Sequence, residues 1–233
     1  KIKKYDSFYE SYFINKNFSL PLINAKIALS KDFFTIRKSK IKWITNNFSR
    51  NRGHLLRSQH DAIISTSKSI NSDNSLLNCR IDGLDKNKPD LVIIDTKLSI
   101  KKNLKIFKKK NKRKILIVTS SKDKQKLSYF KRRNIKIINV NSLNKKIEFT
   151  SLFKRLKTMK YSRILVESGL TFLNTLMKLK LINNIYVFQS SYQLRKIGKN
   201  NTSINLIKKL KLSDKINVNL NGDKLYKIKF KNV

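Results

Sequence analysis

The chain has 233 residues and a formal net charge of +40 at pH 7, from 54 Lys and Arg against 14 Asp and Glu. Hydrophobic residues make up 39%, which excludes a disordered chain, and no apolar run is long enough to span a bilayer. A single cysteine excludes an intramolecular disulfide framework, and since no signal peptide opens the chain we expect a cytoplasmic protein.

The charge by itself suggests a nucleic-acid-binding protein, but the distribution of the cations argues against one. They are scattered over nearly every segment, whereas a nucleic-acid-binding surface concentrates them on one face or tail. Lys, Asn, Ile, Phe and Tyr are abundant, while Gly (5) and Pro (2) are scarce. Because the abundant residues have A/T-rich codons, the base composition of the genome is a sufficient cause of the charge. Nucleic acid is therefore not the expected partner.

The first half of the chain alternates apolar runs with polar segments. Residues 1–20 are interpreted as a linker, or the tail of a missing upstream domain, with no strong element of their own. The elements predicted next are a strand at 22–29, a basic loop at 30–42, a helix at 46–59, a strand at 61–65 and a Ser-rich loop and helix start. Thr45 is the predicted N-cap of the helix, and Phe48, Leu55 and Leu56 are its predicted buried stripe.

The second half repeats this alternation. Strands are predicted at 90–94, 114–120, 135–140, 163–167 and 185–189, and helices at 122–133, 150–159 and 171–180. The basic run at 101–114 is expected to be a solvated face or loop. Near the end, Ile216, Val218 and Leu220 alternate with polar residues, Asn221-Gly222 is a type I′ turn signal, and alternation resumes, which predicts a hairpin.

This order of elements predicts an α/β fold. Apolar strands that alternate with helices form mostly parallel sheets covered on both faces, and the terminal hairpin adds an antiparallel edge. Residues 21–233 are expected to form this single domain.

The residues available for catalysis are few. One Cys and two His exclude a structural zinc site, so no metal is expected, and Walker, Rossmann and nucleophile-elbow motifs are absent. Five polar residues instead lie largely after predicted strands, where ligands of open α/β sheets bind; they are Lys26, which lies inside its strand, Asp32, Asp73, Asp95 and Glu167. Arg57 and Arg80 bracket the Ser-rich loop and suit an anion such as phosphate.

Six short motifs occur in the order and spacing of a known family. They are K-x-A-x-S-x-D at 26–32, W-I-T at 43–45, L-L-R at 55–57, D-A-I at 61–63, D-N-x-x-L at 73–77 with Arg80, and V-E-S-G at 166–169. Together they resemble the reductase domain of the bifunctional riboflavin-biosynthesis deaminase–reductase, over about residues 20–230. The resemblance implies a dihydrofolate-reductase-like fold and an NADP-dependent oxidoreductase. Its reaction would be NADPH-dependent reduction of the ribosyl group of 5-amino-6-(5-phosphoribosylamino)uracil to ribityl.

The resemblance also implies roles for individual residues. Those expected to face NADPH are Leu29, Trp43, Ser69, Asp73, Thr96 and the turn and helix start that begin with Gly169, Leu170 and Thr171. Those expected to face the substrate are Arg57, Leu77, Arg80 and Glu167, with the arginines on its phosphate. Lys26, Asp73 and Glu167 are the residues expected beside the reacting carbon.

Several positions depart from the family pattern. Phe33 and Leu170 stand where the family has glycine, Ile41 where it has serine, and Asn183-Asn184 where it has Asp-Glu. The resemblance further implies an upstream deaminase domain, missing here, and a homodimer; Lys1 in place of Met agrees with a longer parent chain. Three alternatives remain open: an NADPH reductase of the same fold acting on another heterocycle, a non-catalytic basic nucleic-acid-binding domain, and a decayed reductase.

Overall fold

The computed structural model describes residues 6–39, 43–84, 89–108, 113–201, 210, 212 and 214–230. The chain forms two compact units. The first, unit 1, comprises Lys1–Leu22 and Arg57–Leu165, and the second, unit 2, comprises Ile23–Leu56 and Val166–Val233. Each unit is described by itself below.

Unit 1 is an α/β unit with parallel strands. Its elements are α1 (Asp6–Phe18), β3 (Ala62–Thr66), α3 (Ser67–Asp73), β4 (Asp90–Ile94), β5 (Ile115–Thr119), α4 (Lys124–Lys131), β6 (Lys136–Asn139), α5 (Lys146–Thr158) and β7 (Arg163–Val166). The strands run in the order β7-β3-β4-β5-β6, and the neighbouring pairs from β3 to β6 are parallel. Every residue of β5 is buried, as expected of a strand covered on both faces.

Unit 2 contains a second group of paired strands. Its elements are β1 (Leu22–Leu29), β2 (Phe34–Arg37), α2 (Asn47–Ser58), α6 (Leu170–Lys178), β8 (Asn184–Gln189), β9 (Gly198–Asn201) and β10 (Lys224–Lys229). The strands run in the order β10-β8-β1, with β1 and β8 parallel and β10 antiparallel to β8. β2 and β9 form a separate antiparallel pair. The predicted class, an α/β fold with mostly parallel strands and an antiparallel edge, is confirmed.

Residues 6–18 form a helix, so the prediction that this segment has no element of its own was wrong. Its residues are polar and aromatic by turns, a pattern that predicts no element, and Tyr12 and Phe13 are indeed exposed. A polar contact holds the helix instead: Arg163 Nε donates to Ser11 Oγ at 3.0 Å, and Ser11 is buried. The wider assignment of residues 1–20 to a linker or an upstream domain stays a prediction.

Four further details differ from the sequence-based predictions. The segment predicted as a basic loop contains β2, which pairs with β9. The N-cap of α2 is Asn46 rather than Thr45, since Asn46 Oδ1 accepts from Ser49 N at 3.0 Å. Phe48 is exposed by 54%, so the buried stripe is carried by other residues of α2. The basic run is not simply solvated either, because Ile106 is fully buried; residues 109–112 lie outside the described part.

The predicted terminal hairpin has the expected turn, but its two arms do not form the expected ladder. Asn221 and Gly222 have φ of +48° and +89°, as the type I′ turn requires. The second arm is β10, but its ladder partner is β8, and the first arm makes a single bridge between Lys215 and Tyr226. Sequence alternation shows that a segment is half-buried, but it does not show which strand lies beside it.

Candidate active site

In unit 1, two arginines converge on the segment 76–80, which follows α3. Arg57 Nη1 donates to the carbonyl of Asn78 at 3.1 Å, and Arg80 Nη1 donates to Asn78 Oδ1 at 3.0 Å. Arg57 is half-buried and Arg80 is exposed. Asn78, which the motif comparison had not singled out, therefore links the two predicted substrate-binding arginines.

The electrostatics of this pair favour an anionic ligand. Burial and the nearby charge of Arg57 both lower the pKa of Arg80 from its ordinary value. Each effect disfavours a second cation at this place, and a dianion bound there would offset both. A phosphate bound by two guanidinium groups would reduce their repulsion and accept charge-assisted hydrogen bonds.

The start of α3 in the same unit carries hydroxyl groups. Thr66 is its N-cap: its Oγ1 accepts from Ser69 N at 3.3 Å and lies 3.0 Å from Ser69 Oγ. Asp73, the last residue of α3, is exposed, and Leu77 is buried. Ser69, Asp73, Leu77 and the two arginines are therefore all placed in or beside one helix of unit 1.

Asp95, directly after β4, is a buried carboxylate that organises the neighbouring loop. Its Oδ1 accepts from Ser67 Oγ at 2.9 Å and from Ser99 N at 2.8 Å, and its Oδ2 accepts from Ile100 N at 2.8 Å. The next residue, Thr96, uses its carbonyl to accept from Ser120 N at 3.1 Å. Asp95 thus has a structural role, and it fixes the predicted cofactor-facing residue beside it.

Replacing Asp95 by asparagine is expected to lower the free energy of unfolding by about 2–4 kcal/mol, because an amide group would point a donor at atoms that are themselves donors. Urea unfolding followed by circular dichroism measures this change. Asp82→Asn is the matched control, since Asp82 is exposed and such substitutions change stability by about 0.5 kcal/mol or less. Equal stabilities for the two variants would contradict the role given to Asp95.

In unit 2, Lys26 and Glu167 form an ion pair. Lys26 Nζ lies 4.0 Å from Glu167 Oε2, and the side chains are exposed by 22% and 8%. Lys26 Nζ also lies 5.5 Å from the ring centre of Phe188, on the neighbouring strand β8. The sequence predicted both residues as polar groups beside the reacting centre, and the structure brings them together although 140 residues separate them in the chain.

The remaining predicted cofactor residues of unit 2 differ in what they can offer. Gly169 is the exposed N-cap of α6, and Leu170 and Thr171 begin the helix. Trp43 is exposed by 60%, with the Arg50 guanidinium 5.0 Å from its ring centre. The side chain of Leu29 is fully buried in the core, so the prediction that Leu29 faces NADPH can concern its backbone alone.

The structure gives the context of two departures from the family pattern, Phe33 and the pair Asn183-Asn184. Phe33 has φ of +67°, a left-handed conformation that glycine adopts without strain, which is a reason for the family's glycine there. The preceding Asp32 is structural: its carboxylate accepts from Ser30 Oγ at 2.6 Å and from Arg195 N at 2.7 Å. Burial raises the pKa of Asp32, but these hydrogen bonds outweigh it and the net pKa is lowered.

The paired asparagines are structural as well. Asn183 Oδ1 accepts from Ile23 N at 2.8 Å, and Asn184 Nδ2 donates to Asn24 Oδ1 at 2.9 Å. Both bonds join the start of β8 to β1. By contrast, Leu170 has the backbone of an ordinary helical residue, which does not require glycine. Ile41 lies outside the described residues.

The chain is similar to known proteins in sequence and in fold. The model of the RibD C-terminal domain family matches residues 21–220. Acinetobacter baumannii RibD matches with a TM-score of 0.76 and 18% identity, over 96% of this chain and 62% of that one. The Thermotoga maritima deaminase/5-amino-6-(5-phosphoribosylamino)uracil reductase gives 0.74 and 18%, over 96% and 60%. The Saccharomyces riboflavin biosynthesis reductase Rib7 gives 0.70 and 22%, over 96% and 98%.

At these identities the similarity to solved structures shows a shared fold. The chain spans about three fifths of the length of the two deaminase–reductase structures and nearly all of the yeast reductase. No curated protein sequence matches it. Among the helices of the described residues, none has the length and apolar content of a bilayer-spanning segment.

Proposed function

The chain belongs to the RibD C-terminal domain family, and on this premise we propose that it reduces the ribosyl group of 5-amino-6-(5-phosphoribosylamino)uracil to ribityl with NADPH. The observation that carries the proposal is the pair of arginines joined through Asn78, with the side chain of Arg80 largely exposed and its pKa lowered by its partial burial and by the charge of Arg57. Such a pair suits the phosphate that distinguishes this substrate from an unphosphorylated heterocycle.

The donor groups present fit a dinucleotide cofactor. Hydroxyl groups at the start of α3, among them Ser69, and the exposed Gly169 at the start of α6 suit phosphate and ribose oxygens. The exposed indole of Trp43 offers a flat apolar face. The family resemblance assigns these residues, with Asp73 and Thr96, to NADPH, which would supply a hydride when bound.

The chain's own contribution to the reaction is charge and alignment. Reduction of the ring-opened sugar adds one hydride to carbon and one proton from a separate donor. We assign the proton to the Lys26 ammonium group, which Glu167 holds in place at 4.0 Å. Arg57 and Arg80 fix the substrate by its phosphate, so that the sugar carbon is presented in one orientation.

Other parts of the proposal follow from the family and from the length of the chain. The substrate is a phosphoribosyl-pyrimidine, and the deaminase that precedes the reductase in the longer relatives would act on the compound one step earlier. An upstream deaminase domain, a homodimer and a cytoplasmic location stay predictions.

Titration of NADPH into the purified chain, followed by fluorescence, tests the proposal. We expect saturable binding, and then oxidation of NADPH, seen as loss of absorbance, that depends on the phosphoribosylaminouracil substrate. A folded chain that binds no NADPH would overturn the proposal. Oxidation with a pterin but not with the phosphoribosyl compound would favour another reductase of this fold.

A further inference from the structure

Arg113, just before β5, is half-buried and donates three hydrogen bonds to backbone carbonyls in and near the segment 76–80. Its Nη1 donates to the carbonyl of Leu77 at 2.6 Å and to that of Pro89 at 3.3 Å, and its Nη2 donates to the carbonyl of Leu76. Its Nε is buried without a hydrogen-bond partner among the described residues. The planar guanidinium fork thus spans two successive carbonyls, which an ammonium group cannot do with the same geometry.

The segment 76–80 has an unfavourable backbone conformation. Leu77 has φ of +48°, in the left-handed region that side chains other than Gly, Asn and Asp seldom adopt. Its side chain is buried, and its carbonyl is the one that receives the 2.6 Å bond from Arg113. The next carbonyl, of Asn78, receives the bond from Arg57. Three successive carbonyls, at 76, 77 and 78, are therefore held by two arginines.

Keeping a guanidinium group at this place is electrostatically costly. Burial and the charge of Arg57 lower the pKa of Arg113 to about 10, while the Asp90 carboxylate opposes this shift. Arg113 is therefore still protonated at pH 7. A cation that is largely removed from water beside another cation loses hydration energy and is repelled. The three hydrogen bonds from Arg113 to carbonyls offset this cost.

We propose that Arg113 is a positioning residue for the substrate-phosphate site: by holding the carbonyls of Leu76 and Leu77 it fixes the left-handed turn that presents Asn78 and Arg80 to the ligand. This inference rests on the proposed function and deepens it, since it concerns the same phosphate site. Arg113 is half-buried, and in this proposal it acts without contacting the ligand. Its effect passes through the segment that it holds.

The test is Arg113→Lys, which keeps the positive charge but replaces the planar guanidinium group by an ammonium group. Because a small displacement of a binding group has a large effect on a bound ligand, we expect the KM for the phosphoribosyl substrate to rise about tenfold or more. We expect kcat and the Kd of NADPH to change less than about twofold. The matched control is Arg163→Lys, at the first residue of β7, where Nε donates to Ser11 Oγ; its substrate KM should stay at the wild-type value.

A merely structural role gives a different result. Arg113→Lys would then melt at a lower temperature and contain less active protein, with the substrate KM unchanged. That outcome would overturn the inference, as would an equal rise in KM for Arg163→Lys.

Binding of ribose 5-phosphate, measured by calorimetry, separates this inference from the proposed function because it needs neither NADPH nor turnover. Weaker binding by Arg113→Lys than by wild type supports the inference even if the wild-type chain oxidises no NADPH. Equal binding overturns it even if the chain is an active reductase.

Hydrogen exchange on the wild-type chain provides a measurement that does not depend on the folding of a variant. Saturating ribose 5-phosphate should slow amide exchange both at residues 76–80 and at Arg113–Lys114. The two segments are joined by the hydrogen bonds from the Arg113 side chain to the carbonyls of Leu76 and Leu77. Protection at 76–80 with none at 113–114, or protection at neither, would contradict the coupling.

Discussion

Arg80→Ala is expected to lower kcat/KM for the phosphoribosylaminouracil substrate about 100-fold, chiefly through KM. A charge-assisted hydrogen bond to phosphate contributes about 1.5–3 kcal/mol, and each 1.4 kcal/mol is tenfold in kcat/KM. Arg80 is exposed and bonded to Asn78 Oδ1, so its removal should leave the fold intact. Steady-state kinetics with NADPH held at saturation measure the effect.

Two controls show whether the loss concerns the phosphate. Arg132→Ala removes an exposed arginine at the end of α4, and with it the same charge, and should leave kcat/KM within about twofold of wild type. The substrate without its phosphate should react equally slowly with wild type and Arg80→Ala. If the variant loses the same factor on both substrates, Arg80 does not bind the phosphate.

Lys26→Met is expected to lower kcat by about 100-fold or more, with the Kd of NADPH unchanged. A positioned proton donor typically contributes a factor of about 10²–10⁴, and Lys26 is the cation that the Glu167 carboxylate holds. Single-turnover oxidation of bound NADPH, followed by absorbance, reports the chemical step without product release.

The matched control for this variant is Lys227→Met. Lys227 is a half-buried lysine on β10 of the same unit, with Nζ 5.8 Å from the ring centre of Tyr186, as Lys26 stands 5.5 Å from that of Phe188. The two substitutions therefore remove the same charge and a similar ring contact, but only Lys26 is paired with Glu167. Equal kcat values for the two variants would contradict the role of Lys26 in the reaction.

Much of the fold was predictable from local sequence. β4 and β5 are nearly continuous apolar runs, and the structure buries almost all of their residues, because a parallel strand covered on both faces has no polar side. The N-terminal helix was missed for the converse reason. Four of its aromatic side chains, Tyr9, Tyr12, Phe13 and Phe18, are exposed, so they do not give the pattern that marks a packed helix.

Candidate site residues could be named from the sequence because the motifs keep their order and spacing along the chain, and their roles in binding and reaction stay predictions. Their contacts could not be named from the sequence. Asn78 carries no motif, yet it receives Arg57 on its carbonyl and Arg80 on its side chain. A lysine in the middle of a strand, such as Lys26, indicates a polar environment at that position, but it does not show which residue interacts with the lysine.

The sequence by itself determined most of the strands and helices, because hydrophobic periodicity reports the burial of a segment, but it missed α1 and β2. It also determined the family, through residue types at set spacings. The tertiary structure alone decided that β10 pairs with β8, that Lys26 forms an ion pair with Glu167, and that Arg113 donates hydrogen bonds to the carbonyls of Leu76 and Leu77. These are contacts between residues far apart in the chain, and they depend on the order of strands in a sheet, which local periodicity does not encode.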